Sequence, residues 1–205
     1  MSSIRRWLDF LFPPRADERM VREMPPRALA DALRPFPVAR TTPATVSLLP
    51  FSDERVRAAI HEAKYHGSRR ALDLLCEALA AYLSGLEEDS ERLWLVPVPL
   101  GRERLRERGF NQAEEVARRV GSTLRIPILD GLLLRTRETA SQVSLSRAER
   151  ETNMRGAFAP AHSAAPDVTC ILLDDVITTG ATMQAAIDAL ASAGASRILP
   201  VALAH

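Results

Sequence analysis

Cys170-Ile171-Leu172-Leu173-Asp174-Asp175-Val176-Ile177-Thr178-Thr179-Gly180-Ala181-Thr182 is the stretch that decides the fold. Four apolar residues ahead of an acidic pair read as a buried strand with two carboxylates at its C-terminal end. A short polar loop follows. Met183, Ala186, Ile187 and Leu190 then repeat at the spacing of a helix face, closed by Gly194. Strand, loop and helix in that order put the loop at the carboxyl end of a strand, where open α/β sheets bind ligands. Thr178, Thr179 and Thr182 offer hydroxyls, and Gly180 and Ala181 let backbone N–H groups approach closely. The helix aims its positive end at the same point, so the loop reads as a phosphate cradle.

The acidic pair needs a separate reason, because carboxylates repel a phosphate. Asp174 and Asp175 make sense beside a ligand that also carries vicinal hydroxyls, since carboxylates accept hydrogen bonds from a ribose cis-diol. A phosphate on one side and a diol on the other describe a ribose 5-phosphate.

Working outward, short apolar strands alternate with amphipathic helices. Leu93 to Val98 reads as a buried strand, Gly131 to Leu134 as a weak one, Val168 to Leu173 as a strong one and Arg197 to Ala202 as the last. Ser52 is the expected N-cap of a helix bearing Val56, Ala59, Ile60 and Ala63. A second helix carries Leu72, Leu75, Cys76 and Leu79. Asn111 opens a third, with Glu114 placed for a capping box and Ala113, Val116, Ala117 and Val120 on its apolar face. The pattern predicts an α/β fold with a mostly parallel central sheet flanked by helices. It divides into a Pro/Arg-rich N-terminal appendage over residues 1–50 and a main domain over 51–205. The appendage is expected to hold a short helix, mostly irregular chain and a weak strand near Val46 to Leu49.

The bulk numbers set bounds. With 205 residues, 46% hydrophobic and 26% charged, the chain can bury a core without disulfides or a structural metal. A net charge of +1 gives no global basic field for nucleic acid. The two cysteines, Cys76 and Cys170, read as small buried hydrophobes in a reducing, cytoplasmic setting. No apolar run is long enough to insert in a membrane, and Trp7 to Phe12 does not read as a signal peptide.

The 170–182 string resembles the signature for 5-phosphoribosyl 1-pyrophosphate (PRPP) of the type I phosphoribosyltransferases. Residues 51–205 as a whole resemble the ComF family of phosphoribosyltransferase-like proteins. Further strings carry that likeness: Ala63-Lys64-Tyr65-His66-Gly67, then Arg106-Glu107-Arg108-Gly109-Phe110-Asn111-Gln112, then Leu134 to Arg137 with Gln142, Leu145, Arg150, Asn153 and Gly156-Ala157-Phe158. The resemblance implies a type I phosphoribosyltransferase fold with a small N-terminal hood. It implies that Asp174 and Asp175 hold the ribose hydroxyls as the catalytic pair, and that Val176 with residues 178–182 wraps the 5-phosphate. Pro99 and Leu100, after the strand ending at Val98, would begin a pyrophosphate loop, followed by arginines at 102, 104, 106 and 108, of which Arg108 is the strongest candidate.

Arg135 to Phe158 fits an active-site flap, from which Gln142, Arg147, Arg150 and Arg155 would meet pyrophosphate. Lys64 and His66 read either as cations complementing a helix C-terminus or as acceptor-site groups. Mg2+ is expected with PRPP, and no protein metal site. ComF relatives often begin with a zinc ribbon of paired cysteines, but here no cysteine follows Leu11-Phe12-Pro13-Pro14-Arg15 before Cys76, so no zinc is expected. The implied activity is phosphoribosyl transfer to a nitrogenous base, with a link to DNA uptake in competence. Three alternatives stand beside it: a non-catalytic PRPP or nucleotide sensor, an adaptor that meets single-stranded DNA or a DNA-uptake helicase, and a phosphohydrolase built on Asp174 and Asp175. A homodimer is left open.

Overall fold

The computed structural model describes residues 15–86, 92–137, 154, 156–165 and 167–205. Its centre is the strand the sequence singles out, β6 (Thr169–Val176). β6 pairs in parallel with β3 (Leu93–Pro97) on one side and with β7 (Arg197–Ala204) on the other. β7 pairs in parallel with β2 (Thr45–Leu49), and β1 (Phe36–Val38) closes that edge antiparallel to β2. The sheet order is therefore β1-β2-β7-β6-β3, parallel except at the β1 edge.

Both faces of the sheet are covered, which is why its inner strands read as apolar runs rather than alternating ones. Ile171 and Leu173 of β6 join Leu93, Leu95, Val201 and Leu203 in one core. That face is packed by α3 (Glu54–His66), α4 (Arg69–Leu83) and α6 (Gln112–Leu124). Cys170 and Leu172, pointing the other way, join Val96 and Val98 in a second core under α7 (Ala181–Ser192). The period of two along β6 carries on past Leu173, so Asp174 and Asp175 leave the strand toward opposite faces.

The helix faces expected at Leu72, Leu75 and Leu79, at Ala113 to Val120, and at Met183 to Leu190 are buried. Three local readings need correction. The first cap is Asp53, whose Oδ1 accepts from the Arg55 N–H at 2.9 Å; Ser52, one residue earlier, is not the cap. Asn111 does cap α6, through Ala113 N–H at 3.2 Å. Glu114, however, pairs with Arg118 one turn on, rather than with the Asn111 backbone, as i,i+4 opposite charges do. In the appendage, the described residues 15–50 hold more regular structure than one short helix and a weak strand. Residues 16–49 hold α1 (Ala16–Glu23), α2 (Ala28–Asp31), β1 and β2. α1 packs on α3, α2 packs on α4, and β2 is a buried strand of the main sheet.

A second, two-stranded sheet pairs β4 (Leu133–Arg135) antiparallel with β5 (Phe158–Pro160), with Arg135 opposite Phe158. These are the two ends of the expected flap. Gln142, Arg147, Arg150 and Arg155 lie outside the described residues. No described helix is long and apolar enough to cross a membrane.

Candidate functional site

At the carboxyl end of the sheet lies a cavity of about 700 Å³. β6 and its loop supply Asp174, Asp175, Val176, Ile177, Thr178 and Thr179, and α7 supplies Thr182. From the opposite wall come Pro99 and Leu100 after β3, Arg104 and Arg108 of α5 (Arg102–Arg108), and Arg135 of β4. The structure thus brings most of the expected residues to one place. Gly180 and Ala181 sit just behind the wall, at the start of α7.

Three side chains arrive from the N-terminal part of the chain. Arg40, from the β1–β2 connection, faces the threonine loop; Arg57 and Lys64 come from α3. Sequence reading missed Arg40, since nothing local distinguishes it among the other arginines of a Pro-rich stretch. Its position is fixed by a long-range clamp. The Thr42 N–H donates to Gln184 Oε1 at 2.7 Å, and Gln184 Nε2 donates to the Thr42 carbonyl at 3.3 Å. Gly180 adopts φ +83°, and a Cβ there would lie 2.9 Å from the Arg40 carbonyl oxygen and 2.9 Å from its Cβ. Only glycine allows the loop and the Arg40 backbone to approach so closely.

Six cations, Arg40, Arg57, Lys64, Arg104, Arg108 and Arg135, therefore surround two carboxylates. That balance suits a polyanion carrying a neutral hydroxylated part. Lys64 Nζ lies 2.8 Å from Asp175 Oδ2, with both side chains largely buried. Helix-dipole complementarity alone does not explain Lys64, because it reaches across to the strand. The Arg108 guanidinium lies 5.1 Å from the centre of the Tyr65 ring, which stands exposed at the mouth. Gln112 is buried against the cavity wall, and neither its amide nitrogen nor its amide oxygen has a partner. An unpaired buried amide costs about 1–3 kcal/mol.

Burial, and then the charge of Asp175, push the Asp174 carboxyl up to about 7, against the Asp175 N–H, Lys64 and Arg135, which pull it down. The Asp175 N–H donates to Asp174 Oδ1 at 2.8 Å. Near neutral pH Asp174 then shares a proton, which lowers the negative charge an anionic ligand meets. The folded chain keeps this proton to higher pH than the unfolded chain, whose carboxyl titrates near about 4. Folded stability is thus full below that range and falls as pH rises toward about 7. Asp174→Asn removes the fall. Thermal unfolding should show the variant gaining on the wild type by about 1–3 kcal/mol at pH 8 and no advantage at pH 4. An advantage that does not change with pH would refute the buried-acid account.

Residues 105–204 match the family described as the phosphoribosyl transferase domain. A segment of 92 residues is 38% identical to "Competence protein F" of Haemophilus influenzae, covering 44% of this chain and 40% of that protein. The chain is similar to phosphoribosyl transferase domains and to competence proteins. A second relative, "Competence protein ComFC" of Bacillus subtilis, is 26% identical over 142 residues, 69% of this chain and 56% of its own length. The chain thus spans only about half the length of the curated relatives it matches. The match to the domain family takes in α6, β6, α7 and β7, but it begins after Arg40, Arg57 and Lys64. The chain draws part of its cavity from outside the matched segment.

Proposed function

We propose that the protein binds PRPP with Mg2+ and transfers its phosphoribosyl group to a nitrogenous base, in a process tied to competence as the names of its relatives are. The reading rests on one observation: a threonine loop at a helix start, a carboxylate pair and six cations line a single cavity. Residues 178–182 take the 5-phosphate, Asp174 and Asp175 the ribose hydroxyls, and Pro99, Leu100 and Arg108 the pyrophosphate end. A cavity of about 700 Å³ has room for a second reactant beside a ribose phosphate. The unpaired Gln112 amide supports an acceptor that offers both a hydrogen-bond donor and an acceptor.

Mg2+ fits as an ion carried in on the substrate's own oxygens, screening the pyrophosphate charge. The chain's residues do the rest. They hold the ribose while the C1–O bond breaks with oxocarbenium character, and their cations stabilise the departing pyrophosphate. Calorimetric titration of Mg2+ and PRPP into the chain tests the reading. We expect saturable one-to-one binding, and pyrophosphate release once the right base is added. Binding with no turnover across a base panel would leave a sensor. Absence of binding by the folded chain would refute the site and favour a DNA adaptor, whose affinity for single strands would fall steeply with salt.

A further inference from the structure

Beside the cavity, on α3, a second set of side chains converges. One donor atom each of His61, Glu62 and His66 lies within 4.8 Å of the other two. Glu62 is 1% exposed, while both histidines reach the surface. The ribose phosphate reading uses none of the three, although His61 borders the cavity.

Three details make this more than a chance meeting of polar groups. His61 Nδ1 lies 3.0 Å from Asp17 Oδ2 of α1. A histidine held by a carboxylate at one ring nitrogen keeps the other as a free lone pair, and this is how metal-bound histidines are usually oriented. Arg15 donates to both oxygens of Glu62, at 3.2 and 3.1 Å. A carboxylate has about four lone-pair sites, so Arg15 fixes Glu62 without using it up. His66 Nε2 stands 3.9 Å from Glu62 Oε1. That is too long for a hydrogen bond. It is close to the separation of roughly 3.3 Å between two ligands of a tetrahedral ion with bonds of about 2 Å.

We propose that His61, Glu62 and His66 bind a divalent transition-metal ion of the zinc class, with Asp17 orienting His61 and Arg15 orienting Glu62. Two imidazoles favour zinc over magnesium or calcium. Three protein ligands leave a tetrahedral ion one position for water or for an oxygen of a bound anion. The site differs in kind from a cysteine ribbon, and its supports are remote in sequence from its ligands: Asp17 lies in α1 and Arg15 is the N-cap of that helix. It ties α1 to the helix that carries Lys64, and it stands whether or not PRPP binds.

The test is titration of Co2+ into the full chain, read by visible absorption, with Zn2+ competition read by calorimetry. We expect one ion per chain. His61→Ala and His66→Ala should each weaken binding at least about tenfold, and Asp17→Asn by about tenfold. His162→Ala, an exposed histidine elsewhere, should leave it unchanged. The histidine variants carry the test should Glu62→Gln fail to fold. No binding by the folded chain, binding that the His61→Ala/His66→Ala double variant does not weaken, or a thiolate band pointing to Cys76 or Cys170 would each overturn the proposal.

Discussion

At pH 8, above the range in which the Asp174 carboxyl titrates, replacing Asp174 and Asp175 together by asparagine should weaken PRPP binding by at least about a hundredfold and leave the chain folded. Each aspartate is expected to accept a hydrogen bond from a ribose hydroxyl, and a bond to a charged group contributes about 1.5–3 kcal/mol. Two such losses make about 3–6 kcal/mol, or two to four decades in affinity. Asparagine keeps the shape and one acceptor oxygen, so the loss reports charge rather than packing. Two effects on folding oppose each other. Asp175→Asn removes the partner of Lys64, 2.8 Å away, and Asp174→Asn removes a carboxyl that burial makes costly to ionise. Circular dichroism shows whether the fold survives, and calorimetry measures the binding. Near wild-type affinity in a folded double variant would mean that the carboxylates do not hold the diol. Single-stranded DNA binding, if present, should not change with this substitution.

Gly180→Ala should be the most damaging change of a single atom group in the loop. The left-handed backbone at φ +83° costs a residue with a Cβ about 1–3 kcal/mol. The added methyl also meets the Arg40 carbonyl and Cβ at 2.9 Å, so backbone must move. We expect a total of about 2–4 kcal/mol, which for a chain of this size lowers the Tm by roughly 5–15 °C. Gly194→Ala is the control. It has φ +92° but nothing within 4 Å of the added Cβ. Its loss isolates the backbone term, and the difference between the two variants measures the contact with Arg40. Equal losses would show that the close approach does not matter. Ligand affinity should fall with Gly180→Ala and not with Gly194→Ala, since only the first disturbs the threonine loop.

The strand, loop and helix over 170–190 were legible because a strand buried on both faces must be apolar at every position. Two acids ending such a run have no packing role to hide behind. The apolar faces of α4, α6 and α7 were legible for the same reason: each buries a stripe against a sheet. What the sequence hid was tertiary. Lys64 looks like an ordinary helix-end cation until β6 is placed beside it. Arg40 is one arginine among many until Gln184 and Gly180 fix its loop. β2 was only a weak strand in a Pro-rich context, because its support comes from β7, about 150 residues away. Neighbouring cap-forming residues, Ser52 and Asp53, leave a one-residue ambiguity that local preference does not resolve.

The sheet order has a consequence for how the molecule comes to exist. β7 lies between β2 and β6, so the latest of these strands to be synthesised joins the other two. During translation β6 can pair with β3 as soon as both have emerged, but β2 has no parallel partner until Arg197–Ala204 follows. Val46, Leu48 and Leu49 must wait, with the helices that pack behind them, through the synthesis of most of the chain. The nascent chain should therefore carry an apolar strand with one edge unpaired, which invites chaperone binding, and the complete sheet should appear only with the insertion of β7.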